Sequence, residues 1–173
     1  MKSLTIKVLV CFMVLSLMFS NICLGQYQKS FGVRLGKFTT GLTYKNLIGE
    51  DNASGYEIFL GHTKAAQGGY MATVLYTHNV SIFNPQLQLN LDFTIGVGPY
   101  VGYFDKGVYS YNSSQTLKYH DNLLSVGVNG YLGLEYHLRS LPISVGIEAN
   151  PHFAVIHQGP EWIDISLPIR YTF

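Results

Sequence analysis

"EWIDISLPIRYTF", residues 161–173, ends the sequence. Every second residue from Ile163 is apolar: Ile163, Ile165, Leu167, Ile169, Tyr171 and Phe173. Between them lie Trp162, Asp164, Ser166, Pro168, Arg170 and Thr172. A period of two belongs to a β-strand, whose successive side chains point to opposite faces. One face of this strand is therefore apolar along its whole length, and the other carries an acid, a base and hydroxyls. The fold depends on which of the two faces meets water.

The same alternation recurs upstream, and no stretch shows apolar residues at helical spacing. It predicts strands near 29–37, 40–48, 54–62, 69–79, 86–104, 122–138 and 142–155, eight with the last. In the first, Phe31, Val33 and Leu35 oppose Gly32, Arg34 and Gly36. In the fifth, Leu89, Leu91, Phe93, Ile95 and Val97 oppose Asn90, Asp92, Thr94, Gly96 and Gly98. The fourth is the poorest match, because Met71 and Leu75 fall on the polar face.

The other end of the chain reads as an export signal. Lys2 and Lys7 precede an apolar run from Val8 to Phe19, and Cys23-Leu24-Gly25 places small residues before Gln26. A positive start, a short apolar core and a small-x-small exit describe a signal peptide over 1–25. Twelve residues, apolar apart from Ser16, are too few for a membrane helix, which needs about 20. Residues 26–173 form the mature domain. Both cysteines, Cys11 and Cys23, lie in the removed segment, which excludes a disulfide framework or thiolate chemistry. Removing Lys2 and Lys7 from eleven basic residues leaves nine against ten acidic, with no basic patch for nucleic acid.

Eight amphipathic antiparallel strands close either as a soluble, lipocalin-like ligand carrier, apolar inside, or as a membrane barrel, apolar outside. Strand length, mid-strand charges at Asp92, Glu135 and Glu148, and only 12% charged residues select the second. The expected fold is all-β: an eight-stranded antiparallel up-and-down transmembrane β-barrel, apolar face outward, with a polar packed lumen. With both termini periplasmic, connections after even-numbered strands should be short. The connection after the fifth, "DKGVYSYNSSQTLKYHD" at 105–121, should be a long external loop.

The segments "SFGVRLG", "GLTYKNL", "GYLGLEYHL", "PISVGIEANPHF" and "LPIRYTF" resemble the small eight-stranded outer-membrane proteins of the OmpX/OmpA-like kind, in particular those of Gram-negative Bacteroidota. The terminal strand, with Tyr171 and Phe173, is similar to the C-terminal signal read by the barrel assembly machinery. The resemblance spans nearly all of 27–173. It implies an outer-membrane location, contact with membrane lipid and lipopolysaccharide, a monomer and no cofactor. It implies no particular chemistry, because fold does not imply function. The expected role is therefore non-enzymatic: structural, or an interaction or adhesion role at the cell surface, with a plugged lumen.

Candidate chemistry is sparse. Ser144, Glu148, His152, Asp164 and Ser166 share the inner face of the last two strands and have the residue types of an acyl-transfer triad. A lipid A- or phospholipid-modifying enzyme is the alternative they raise, although such an enzyme needs its nucleophile open to lipid. His62, His78, His120, His137, His152 and His157 form no zinc motif. Gly96, Gly98 and Gly102 lie within a strand and make room for inward aromatics such as Tyr100 or Tyr131. Asn52 and Asn112 begin glycosylation sequons that mean little in a bacterium. The loop residues Lys106, Tyr109, Tyr111, Lys118 and Tyr119 are the candidate contact site.

The inward charges must pair, since an isolated buried charge is very costly. A turn around 50–52 places Lys45 opposite Glu57. A turn near 158–160 places Glu148 opposite Arg170 and His152 opposite Ser166. Arg34 and Arg170 become neighbours on closure and share carboxylates including Glu148 and Glu135. The predicted lumen network is Arg34, Lys45, Glu57, Glu135, Glu148 and Arg170. Pro168 should introduce a bulge or a weak pairing, because it lacks a ladder donor.

Overall fold

The computed structural model describes residues 28–48, 53–64, 68–84, 89–111, 117–138, 141–156 and 162–173. The expected signal peptide and the sequon residues Asn52 and Asn112 lie outside them. Eight strands follow in order: β1 Lys29–Gly36, β2 Thr39–Ile48, β3 Ser54–Thr63, β4 Gly69–Asn84, β5 Leu89–Tyr111, β6 Leu117–His137, β7 Ile143–Ile156 and β8 Trp162–Thr172. Each pairs antiparallel with the next, and β1 pairs with β8 to close the barrel. No helix occurs among the described residues.

The barrel is inverted relative to a water-soluble protein. Ile165 is 58% exposed and Leu60 56%, whereas Arg34 and Glu57 are wholly buried. The alternation read from the sequence places both sets. Met71 and Leu75, the misfits of β4, point inward and are buried. Met71 joins a short apolar layer with Phe59, Tyr100 and Phe104.

Inward glycines seat these rings. A Cβ on Gly61 would lie 2.5 Å from the Phe59 ring, one on Gly102 2.6 Å from Phe104, and one on Gly127 2.5 Å from Tyr100. Tyr131 covers Gly133 in the same way, at 2.8 Å from its hydroxyl. The lumen of an eight-stranded barrel is just wide enough for its side chains. Large rings fit where their neighbour on the same face has none.

Strand limits differ most at β5 and β6. The expected loop 105–121 is largely paired backbone, with Lys106 opposite Asp121, Val108 opposite Tyr119 and Tyr111 opposite Leu117. Only 112–116 separate the strands. Valine and tyrosine are strand formers, and the polar residues around them masked that signal. Connection length is also not the expected asymmetry. The intervals 37–38, 64–68, 112–116 and 157–161 at one end are as short as 49–53, 85–88 and 138–142 at the other. The barrel is asymmetric in its strands instead.

Three prolines interrupt the ladders without shifting register. Pro168 pairs with Arg34 on the β1 side, but the β7–β8 ladder passes from Val145–Ile169 to Glu148–Ser166 with two pairs missing. Pro151 leaves the same gap with β6, and Pro99 with β4. In an antiparallel sheet a residue's N–H and C=O serve the same neighbour. A proline therefore weakens one ladder and spares the other, and no bulge forms at Pro168.

Candidate functional site

The hairpin geometry decides who meets whom in the lumen. In β2–β3, Lys45 lies opposite Glu57, Leu42 opposite Leu60 and Tyr44 opposite Ile58, as the turn position implies. In β7–β8 the expected register is four residues off. Ser144, and not Glu148, faces Arg170; Glu148 faces Ser166; Asn150 faces Asp164; His152 faces Trp162. The connection 157–161 shares its centre with the turn assumed at 158–160, but the pairs themselves are centred two residues nearer β7. An even shift leaves every side chain on its face, so the inward set survives the error.

The structure brings all six network residues together. Glu57 accepts from Arg34 Nη2 at 2.7 Å, Arg170 Nη2 at 2.9 Å and the Thr43 hydroxyl at 2.7 Å. Glu148 pairs with Arg34 Nε at 2.9 Å and with Arg170, and accepts from the Tyr131 hydroxyl at 2.7 Å. Glu135 meets Arg170 Nη1 at 3.1 Å and Lys45 Nζ at 3.3 Å, and accepts from Ser144. Lys45 thus turns from the residue opposite it to a carboxylate across the lumen. Three cations and three carboxylates balance in a buried cluster. The Arg34 guanidinium also lies over the Phe59 ring, 4.4 Å from its centroid. That contact joins the ionic layer to the apolar layer beside it.

Two further inward carboxylates were legible in the sequence, but their partners were not. Asp92 accepts from Ser81 at 2.7 Å and lies 3.0 Å from His137 Nε2. Asp164 accepts the backbone N–H groups of Phe38 at 2.9 Å and Thr39 at 3.1 Å, and the Thr39 hydroxyl. It lashes the β1–β2 turn to β8. Ser81 lies directly opposite Asp92 on β4 and His137 sits diagonally from it on β6, whereas the Asp164 contacts depend on closure of β8 against β1.

The triad candidates are dispersed among these bonds. Ser144 donates to Glu135, and Ser166 to Glu148 at 3.4 Å. His152 Nδ1 contacts the Asn150 carbonyl at 2.8 Å, and its ring meets Tyr100 edge-on. In this arrangement neither serine hydroxyl is directed to His152. A triad needs that hydrogen bond.

The contact-site candidates Lys106, Tyr109, Tyr111, Lys118 and Tyr119 all lie on the β5–β6 ribbon, and their side chains are outside the described residues. The pairing registers shift between Val108 and Ser110, at Tyr109. The first β4–β5 pair is Gly69–Phe104, so 105–111 continue past β4 for roughly 20 Å of strand. On the other side, β7 reaches only Val126. Among the described residues the ribbon has two unpaired edges. At the opposite end, Phe173 and Lys29 exchange backbone hydrogen bonds of 2.8 and 3.1 Å, and the Tyr171 and Phe173 rings stack at 6.1 Å.

No protein-family model and no curated protein matches the sequence. The fold is similar to the crystal structure of Neisserial surface protein A, with a TM-score of 0.51 and 10% identity over 84% of this chain and 94% of that one. At that identity the likeness shows the eight-stranded barrel architecture alone.

Proposed function

We propose that this chain is an integral outer-membrane barrel protein of a Gram-negative bacterium, closed to conduction, with a structural or interaction role at the cell surface and no enzymatic activity. The inversion of the barrel carries the reading. A wall of Ile, Leu, Val, Phe and Tyr gains nothing from contact with water. From Phe93 to Tyr103, both outward on β5, ten residues at a tilt near 40° span about 25 Å, the height of an outer-membrane apolar band. Tyr70 and Tyr103 stand at one end of the band, and Tyr136 at the other, where interfacial aromatics belong. The balanced ionic layer and the apolar layer beside it fill the lumen. Segment resemblance to OmpX/OmpA-like barrels of Bacteroidota supports the finer kinship, with residues 1–25 as the export signal and lipopolysaccharide as the surrounding lipid.

In this reading the termini are periplasmic and the β5–β6 ribbon is external. Unpaired strand edges accept extended segments of other chains, and these edges are the proposed contact surface for an extracellular or envelope partner. The serines that donate to Glu135 and Glu148 act as lumen packing. The test has three arms. Fractionation should place the protein in the detergent-extracted outer membrane; recovery from the soluble periplasm would refute the reading. Planar bilayers should show no sustained conductance. Pull-down from whole cells should lose its bound partner when residues 107–119 are deleted, and altered lipid A on overexpression would instead favour an enzyme.

A further inference from the structure

We infer that the outer wall carries a site for an acyl chain of an anionic, phosphorylated lipid of the outer leaflet. The inference rests on the membrane reading above. A groove of about 720 Å³ crosses the exterior from β1 to β6. That lies within the size range of small-molecule sites, roughly 300–1,000 Å³. Outward side chains of a cylinder diverge, so a groove needs places where side chains are missing. Ala72 is one. Its neighbours in the same cross-strand row are Leu60 and Val101, and it leaves a low floor between them. Gly41 and Gly61 face each other across β2 and β3, where a Cβ on Gly41 would lie 2.4 Å from the Gly61 Cα. Leu35, Leu42 and Tyr103 complete an apolar lining.

One end of the groove lies at His62, close along the chain to two lysines. His62, which lines it, meets the Tyr70 ring edge-on at 5.7 Å. Lys64 follows two residues later, and its N–H donates to the Phe38 carbonyl at 2.6 Å. That bond ties Lys64 to the β1–β2 turn, which carries Lys37. Both lysines are exposed. Two carboxylates are nearby: Asp105 beside Gly68, and Asp164, which is buried and bonded to Phe38 and Thr39. An alkyl chain matches the lining, and a phosphate at its head matches the two lysines. A second barrel fits less well, because a convex wall cannot fill a dent.

The test uses the full mature barrel in detergent, titrated with phosphorylated lipid A or with phosphatidylcholine, reading the heat-unfolding midpoint and retained lipid by native mass spectrometry. Wild type should retain lipid A and be stabilised by it. Ala72→Trp fills the floor and should weaken lipid A roughly tenfold, a difference of about 1.4 kcal/mol. Ala72→Leu provides the same reading in a smaller step if the Trp variant does not fold. Lys37→Glu with Lys64→Glu should abolish the preference over phosphatidylcholine. Equal lipid A affinity in wild type and a correctly folded Ala72 variant would overturn the site, as would a dimer in place of a lipid adduct. Recovery of the wild type from the soluble periplasm would instead overturn the membrane reading itself.

Discussion

Arg170 bonds Glu148, although Glu148 lies four residues along β7 from Ser144, the residue directly opposite Arg170. The pair forms diagonally across a lumen narrow enough for a long guanidinium to reach. Arg170 also holds Glu57 and Glu135, and so links β8 to three other strands.

Charge balance in this layer sets the first expectation. Glu148→Gln leaves three cations against two carboxylates in a buried space, and stranding one member of a buried ion pair costs about 3–5 kcal/mol. Adding Arg170→Met restores two against two. The double variant should therefore unfold in denaturant closer to wild type than the single variant. A double variant weaker than the two singles combined would contradict the balance argument.

Asp164 supplies the second. It is buried and accepts three hydrogen bonds from Phe38 and Thr39. Asp164→Ala removes the acceptor and should destabilise by about 1.5–3 kcal/mol, the scale for a bond to a charged group. Hydrogen exchange should quicken at the Phe38 and Thr39 amides while the β3–β4 ladder stays protected. Unchanged protection at that turn would remove Asp164 as its clamp.

Tyr131 and Gly133 provide the third. A methyl on Gly133 would meet only the Tyr131 side chain, at 2.8–3.0 Å. Gly133→Ala should cost about 1–3 kcal/mol by overpacking. In a Tyr131→Leu background the same change should cost much less, because contacting sites are not additive. Equal costs in both backgrounds would show that the glycine is needed for another reason.

Orientation can be read by labelling. Lys64 and Leu141 are exposed at opposite ends of the barrel, and residues 26–173 contain no cysteine. On intact cells an impermeant maleimide should modify Lys64→Cys and leave Leu141→Cys untouched. The reverse pattern would place the β5–β6 ribbon in the periplasm.

The sequence alone determined the number of strands, their faces and the sorting of Arg34, Glu57, Glu135, Glu148 and Arg170 to the inside. Alternation is a local property, written every two residues, and survives errors in strand ends. The β2–β3 register was legible too, because paired apolar residues fit only one alignment across a short turn. The β7–β8 register was not, since shifts of two or four residues leave the same faces in and out. Tertiary closure decided the partners: Lys45 chose Glu135 over Glu57 opposite it, Arg170 reached both Glu57 and Glu135, and Asp164 found the β1–β2 turn. Those contacts cross the lumen or the seam between first and last strands. They follow from the stagger and width of the closed wall, which no single hairpin contains.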